Sequence, residues 1–462
     1  MRYVSTRGGA PVLGFADVLL AGLAADGGLY VPETWPSLAP AQPGDDYAAT
    51  AAAVMAPFVV SEDSPEITVD DLSRLCRDAY GTFRHPAVAP LIQIDDRQWL
   101  LELFHGPTLA FKDIALQLVG RLFDHVLAGR DERITIVGAT SGDTGSAAID
   151  GVRGCDRVDI VILYPAGRTS EVQRRQMTTV DSPNVHAVAV DGTFDDCQDL
   201  VKAMFADAAF RDRLRLSAVN SINWARVMAQ VVYYVTTARA LAGPIDVTVP
   251  TGNFGNVLAG WIARRLGADI DSFVVASNSN DILARYITDR DMSTTGVVPT
   301  LSPSMDIQVS SNFERLLFEM NDRDGGRTAG QLAQFRSEGR LEVDDAAFDR
   351  WIRGSFRAAS VDDAATTAEI ARVHRNTGLL IDPHTATGTA AARRLAADRP
   401  MVTLATAHPA KFPDAVERAT GVRPALPEAL ADLMTRPERT STLPADLATV
   451  QRFVAGVSRA AS

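Results

Sequence analysis

Apolar positions along this chain fall into two rhythms. Over roughly the first 95 residues they recur at helical spacing, at Phe15, Val18, Leu19 and Leu23 and again through Ala48–Phe58. A loop punctuated by Pro32, Pro36, Pro40 and Pro43 separates the two stretches. From about Trp99 the pattern changes to short β-branched runs alternating with longer amphipathic ones. These predict strands at Ile134–Val137, Asp159–Leu163, His186–Val190, Asp246–Val249, Phe273–Ala276 and Met401–Leu404. Helices are predicted between them, at Ile114–Ala128, Trp224–Ala242 and Val257–Leu266. Strands and helices alternating through short links build parallel βαβ units, so the predicted class is α/β. The Asp322–Arg327 stretch reads as a surface loop. The last thirty or so residues, rich in Ala, Pro and Arg, read as a packed or frayed extension.

Composition narrows the possibilities. The chain has 462 residues, 46% hydrophobic and 22% charged, which is ordinary globular usage and enough for two or three domains. A net charge of −12 argues against a nucleic-acid partner. No apolar run is long enough to span a bilayer, and Met1–Arg7 lacks the apolar core of a secretory signal, so a cytoplasmic location is expected. Three scattered cysteines, Cys76, Cys155 and Cys197, give neither a disulfide framework nor zinc-site spacing, and no metal is expected. Only three of the 45 basic residues are lysines: Lys112, Lys202 and Lys411. A chain so biased toward arginine should keep lysine where a primary amine is needed, because a guanidinium neither condenses with an aldehyde nor gives up its proton.

Two predicted strand-to-helix junctions are rich in glycine, Ile136–Ser146 and Val249–Val257. Such turns present free N–H groups and the positive end of a helix dipole, which suit an anion. Neither carries the Gly-Lys-Ser/Thr of a P-loop nor the dinucleotide fingerprint. Between the first junction and the N-terminal region lies Phe104–Asp113, with Lys112 at the start of an apolar helix. There the dipole and partial burial both disfavour an ammonium, making Lys112 a candidate for covalent attachment of an aldehyde. An aldehyde-binding lysine together with phosphate cradles points to pyridoxal phosphate. Thr406 ends the strand Met401–Leu404, at the edge where α/β ligands bind, and His408–Pro413 follows it. A neutral hydroxyl there can meet a pyridine nitrogen.

The chain resembles the threonine synthases, fold-type II pyridoxal-phosphate enzymes related to cysteine synthase and the tryptophan synthase β chain. The matching stretches are Tyr3–Gly8, Gly22–Pro32, His105–Asp113, Ala139–Gly145, Asn220–Arg226, Gly252–Asn256 and Ala407–Phe412, in family order across almost the whole chain. The resemblance implies two open parallel-sheet α/β domains with the cofactor in the cleft between them, and a mainly helical N-terminal region. The expected segments are 1–95, 96–240 for the cofactor lysine and first glycine loop, 241–430 for the cofactor phosphate, and 431–462 as a C-terminal extension. It further implies that Lys112 holds the cofactor and moves protons, that Gly252, Asn253, Phe254, Gly255 and Asn256 bind its phosphate, and that Thr406 faces its ring nitrogen. Ser141, Gly142, Asp143 and Thr144 would form the loop for the substrate carboxylate, with Asp143 nearing the cofactor's phenolic oxygen. Cysteine-synthase relatives carry Asn where this chain has Asp143, and a carboxylate beside a phenolate is repelled unless the two share a proton. Candidate contacts for a substrate phosphate are Thr108, Ser221, Asn223, Arg226 and Lys411.

The implied reaction converts O-phospho-L-homoserine and water to L-threonine and phosphate, by elimination at the γ-carbon and addition at the β-carbon. A monomer or homodimer is expected. Two alternatives stand beside it: another lyase of the same fold, such as a threonine or serine dehydratase, and a non-catalytic binding protein.

Overall fold

The computed structural model describes residues 1–462 except 39, 41, 43, 62–64, 141 and 461–462, so Pro43 and Ser141 lie outside the described residues. Two parallel sheets organise the chain. In the first, Ser441–Pro444, Val185–Asp191, Val158–Pro165, Ile134–Ala139 and Leu216–Ser217 lie side by side in that order, all parallel. In the second the order is Phe356–Ser360, Ile270–Ser277, Ile245–Pro250, Met401–Ala405 and Gln98–Glu102, again parallel, with Leu91–Gln93 antiparallel at the edge. All six strands expected from the β-branched runs are present. Val158–Pro165 and Ile245–Pro250 are buried at every position, because helices cover both faces of each sheet and leave no polar side to alternate with.

The sheets do not follow the segments drawn on the sequence. Gln98–Glu102 belongs to the second sheet, beside Met401–Ala405, although the 96–240 segment otherwise feeds the first. Ser441–Pro444, within the expected extension, pairs with Val185–Asp191 and closes the first sheet. The helix Leu447–Val457 then buries Val450 and Val454 against Cys197, Leu200 and Met204. A short strand ending in proline carries no periodic signal, and proline is tolerated there because the strand is at an edge. The Asp322–Arg327 stretch is only partly a loop: Asp324 caps a helix beginning at Gly325, and a Cβ on Gly325 would lie 2.6 Å from the Gly8 nitrogen.

The N-terminal region is built of the helices Phe15–Ala21, Tyr47–Val59 and Val69–Tyr80 and a two-stranded antiparallel pair, Tyr3–Ser5 with Tyr30–Pro32. Its first helix stops at Ala21, where Gly22 takes φ 64°, so Leu23 falls beyond it and is exposed. The region is anchored through buried aromatics: Trp224 Nε1 donates to the Tyr3 hydroxyl (3.0 Å), which donates to the Phe58 carbonyl (2.8 Å). Arg7 and Thr6 meet Glu314 on the helix Phe313–Met320, tying the N-terminus to the second sheet's layer.

Candidate active site

Two loops leave the carboxyl ends of adjacent strands in the second sheet and run together. Residues 103–111 follow Gln98–Glu102, and 406–411 follow Met401–Ala405. Leu103 N–H donates to the Ala405 carbonyl (3.0 Å), Phe111 N–H to Thr406 (2.9 Å) and His408 N–H to Leu109 (3.0 Å). The first loop delivers Lys112 as the opening residue of the helix Lys112–Arg130, with its side chain buried. Its Nζ lies 3.4 Å from Asp143 Oδ2 and 3.4 Å from Ser304 Oγ, both long contacts. Burial lowers the proton affinity of this amine; Asp143 opposes that, and the charges of Lys411 and Arg226 add to it.

Asp143 opens the helix Asp143–Val152 from the first sheet. The preceding turn is fixed by Thr140, whose Oγ1 accepts from the N–H groups of Gly142 (3.0 Å) and Gly145 (2.9 Å). Gly142 sits at φ 149°, and a Cβ there would run into the Gln173 amide, so only glycine fits. Asp143 Oδ1 accepts from Gln173 Nε2 (2.8 Å) and Lys411 Nζ (2.9 Å). Burial works against its charge, but Lys411 and then Lys112 overcome that and hold the carboxyl well below its ordinary range. Thr144 is half-buried in the same first turn.

The residues expected to meet a substrate phosphate divide sharply. Lys411 is fully buried, and its ammonium donates to the Thr108 carbonyl (2.8 Å), Gln176 Oε1 (2.9 Å) and Asp143 Oδ1, which uses all three of its donors. The nearby carboxylates of Asp414 and Glu417 face Arg423 instead. The Thr108 hydroxyl is given to Asp113 Oδ1 (2.6 Å). Asn223 donates to the Leu19 carbonyl and accepts from Ala225 N–H, capping the helix Trp224–Leu241. All three side chains thus have partners within the chain. Ser221 is half-buried, with its carbonyl accepting from Asn312 Nδ2 (3.0 Å). Arg226 is different. It is 3% exposed, and its Nε and one terminal nitrogen are buried without a hydrogen-bond partner. Desolvation alone pushes this guanidinium down to about 10.

The second glycine junction follows the strand Ile245–Pro250. Phe254 takes a left-handed φ of 62° and buries its ring against Phe313, 5.4 Å away, so the turn exposes backbone rather than side chain. Gly255 then starts the helix Gly255–Leu266. A Cβ on Gly252 would lie 2.6 Å from the Ser304 carbonyl, and Asn253 is pinned through its own carbonyl to Asn312 N–H (3.1 Å). Asn256 Oδ1 accepts from the Tyr233 and Tyr234 hydroxyls, which orients the amide and leaves Nδ2 buried without a partner. Thr406 is buried at the end of the Met401–Ala405 strand.

Several contributors escaped the linear reading. Ser304, in a short 3₁₀ turn at Pro303–Met305, reaches Lys112, and its N–H donates to His384 Nε2 (3.2 Å). With Nε2 accepting, His384 Nδ1 donates to Asp382 Oδ2 (2.7 Å), which fixes the tautomer. Gln173 and Gln176 share one face of the helix Glu171–Thr178 and grip Asp143 and Lys411. Asp382 followed by Pro383 is a readable helix start. Nothing in the sequence around Ser304 or the two glutamines announces them.

The comparisons with known proteins bear on the whole chain. The family described as "Threonine synthase N terminus" matches residues 2–80, "Pyridoxal-phosphate dependent enzyme" matches 83–407, and "Threonine synthase, C-terminal" matches 385–454. Threonine synthase of Pseudomonas aeruginosa is 54% identical, with 98% of each chain covered. The chain belongs to the threonine synthase family. A pyridoxal-phosphate-bound threonine synthase from Brucella melitensis superposes with a TM-score of 0.96 at 52% identity, covering 99% of this chain and 100% of that one. Yeast threonine synthase gives 0.92 at 38% identity, covering 99% and 98%. Likeness to an aspartate racemase, 12% identical with a TM-score of 0.50, reflects the fold alone.

As a member of the threonine synthase family this is a pyridoxal-phosphate-dependent lyase, and the residues present fit that cofactor. The buried Lys112 amine is held only by long contacts, while the unpaired Asn256 Nδ2 and the start of the Gly255–Leu266 helix lie where a phosphate needs donors. The chain contacts a small molecule as substrate, and among the described residues no helix is long and apolar enough to cross a membrane.

Proposed function

We propose that this protein converts O-phospho-L-homoserine and water into L-threonine and phosphate with pyridoxal phosphate attached at Lys112. The observation that carries the reading is the buried Arg226 guanidinium, with two donors unspent, close enough to Lys112 for its charge to depress the amine. A buried cation without an anion is costly unless a ligand supplies one. When bound, the cofactor supplies an electron sink for charge developing at the substrate's α-carbon. Gly252–Asn256 hold the cofactor phosphate through the N–H groups of their turn and the Asn256 amide, and Thr406 offers its hydroxyl to the ring nitrogen. The 141–144 loop receives the substrate carboxylate at the start of the Asp143–Val152 helix, where the dipole favours an anion. Lys112 Nζ takes and returns the α-proton, and burial, by lowering its proton affinity, favours the neutral amine that this needs. Arg226, joined by Ser221, holds the phosphate leaving the γ-carbon, keeping it in the site while water adds at the β-carbon.

The same reading places the enzyme in the cytoplasm as a monomer or homodimer without a nucleic-acid partner, which its acidic net charge supports. The test is product analysis with purified protein. Phosphohomoserine should yield threonine and phosphate in equal amounts, and threonine should yield no appreciable ammonia. Rapid ammonia release from threonine without turnover of phosphohomoserine would make the protein a dehydratase. Absence of both reactions would leave only a binding protein.

A further inference from the structure

Lys411 and Asp143 form a buried ion pair that the proposed reaction does not itself require. Lys411 has no accessible surface, and its three acceptors come from three distant segments: the Thr108 carbonyl, Gln176 and Asp143. An ammonium has three donors, so none is left for a ligand. The carboxylate is divided with equal economy. Its Oδ1 is anchored by Lys411 and Gln173, while Oδ2 is turned toward Lys112.

We propose that Lys411 is a positioning residue, which holds the Asp143 carboxylate ionised and aimed at the Lys112 amine, rather than a cation for the substrate phosphate. The proposal rests on Lys112 being the attachment lysine. Groups facing this pair are Lys112 from its own helix, Arg226 from the Trp224–Leu241 helix, Gln173 and Gln176 from the Glu171–Thr178 helix, and Asp113, which feels the Lys411 charge. Of these cations, Lys112 is the one that gives up and regains a proton in the proposed reaction. A carboxylate relying on Lys112 alone would lose its counter-charge each time that amine became neutral, and burial would then drive it to take up a proton. Lys411, never exposed and never free, keeps Asp143 an anion throughout. The arginine bias of the chain agrees with this role, because a flat five-donor guanidinium does not match three acceptors converging on a single point.

The test follows the visible absorbance of the holoenzyme against pH. With Lys411→Met, Asp143 should titrate within about pH 5 to 9, adding a step absent from the native protein and from the Lys411→Met/Asp143→Asn double variant. Turnover number should fall about tenfold or more, with KM for phosphohomoserine and inhibition by inorganic phosphate within about threefold of native. A Lys411→Met enzyme without the added step, but with KM raised tenfold or more and weakened phosphate inhibition, would overturn the proposal and return Lys411 to the substrate phosphate. Should Lys411→Met not fold, Asp143→Asn decides alone: the Lys112-linked transition should move down by about one pH unit, since its anion is lost, and an unmoved transition overturns the proposal. Borohydride reduction and peptide mapping of the native holoenzyme separate this outcome from a wrong attachment site, which would show label on Lys202 or Lys411.

Discussion

Lys411 and Arg226 are both buried cations whose fields reach Lys112, and they differ in what surrounds them. Every donor of Lys411 meets an acceptor supplied by the chain, whereas Arg226 buries two donors against nothing. The same division separates the regions they belong to. Around Asp143 the charges are internally balanced and the geometry is complete without a ligand. Around Arg226 and Asn256 the protein buries donors without a partner in the chain, a desolvation cost that a bound anion would offset. A buried cation thus reveals its purpose through its unspent donors, not through its charge or rarity.

Substitutions can break this comparison at three strengths. The largest effect is expected at Lys112, where both regions converge. Lys112→Arg keeps the charge but cannot attach the cofactor, so the visible band should vanish and phosphate release fall by about 10³-fold or more. A retained band would mean that another lysine does the work. Next, Arg226→Met should lower kcat/KM for phosphohomoserine by about 10²-fold while the cofactor band stays, because a charged contact is lost from a closed site. Activity within about threefold of native would show that the unpaired guanidinium serves no phosphate. The smallest effect is expected at the cradle. Gly252→Ala forces a methyl toward the Ser304 carbonyl, and overpacking of this kind should raise the cofactor dissociation constant by about tenfold in a direct titration. Unchanged affinity with a lowered melting temperature would make the close approach purely structural.

Much of this division was illegible in the sequence, for definite reasons. The strands at Val158–Pro165 and Ile245–Pro250 are buried at every position, although Asp159, Asp246 and Thr248 interrupt their apolar runs, because a doubly covered parallel strand has no solvent face. Lys112 stood out because lysine is rare here and because it opens an apolar helix. For Lys411 the same rarity indicates that an amine is needed, but not which acceptors it meets, and these lie up to 303 residues away. Arg226 carried a signal that periodicity could have used. It stands in Trp224–Leu241, a helix apolar nearly all round, where a charged residue has no outer face to occupy. Ser304 and Gln173 had no signal, since each reaches the site through tertiary contacts alone.

The pairing of the 103–111 and 406–411 loops has a mechanical consequence. Through the Leu103–Ala405, Phe111–Thr406 and Leu109–His408 bonds, the loop leading into Lys112 is clamped to the same sheet that carries Gly252–Asn256. Amine and cradle therefore ride on one frame, as two fittings on a single plate. The Asp143 loop belongs to the other sheet and reaches that frame across the cleft. The Lys112–Arg130 helix nevertheless packs on the Asp143–Val152 helix so closely that a Cβ on Gly120 would meet the Gly151 carbonyl, so Lys112 is also tied to the Asp143 side. Lys112 is thus the rivet between the two sheets, and any slide of one past the other loads the turn that carries it.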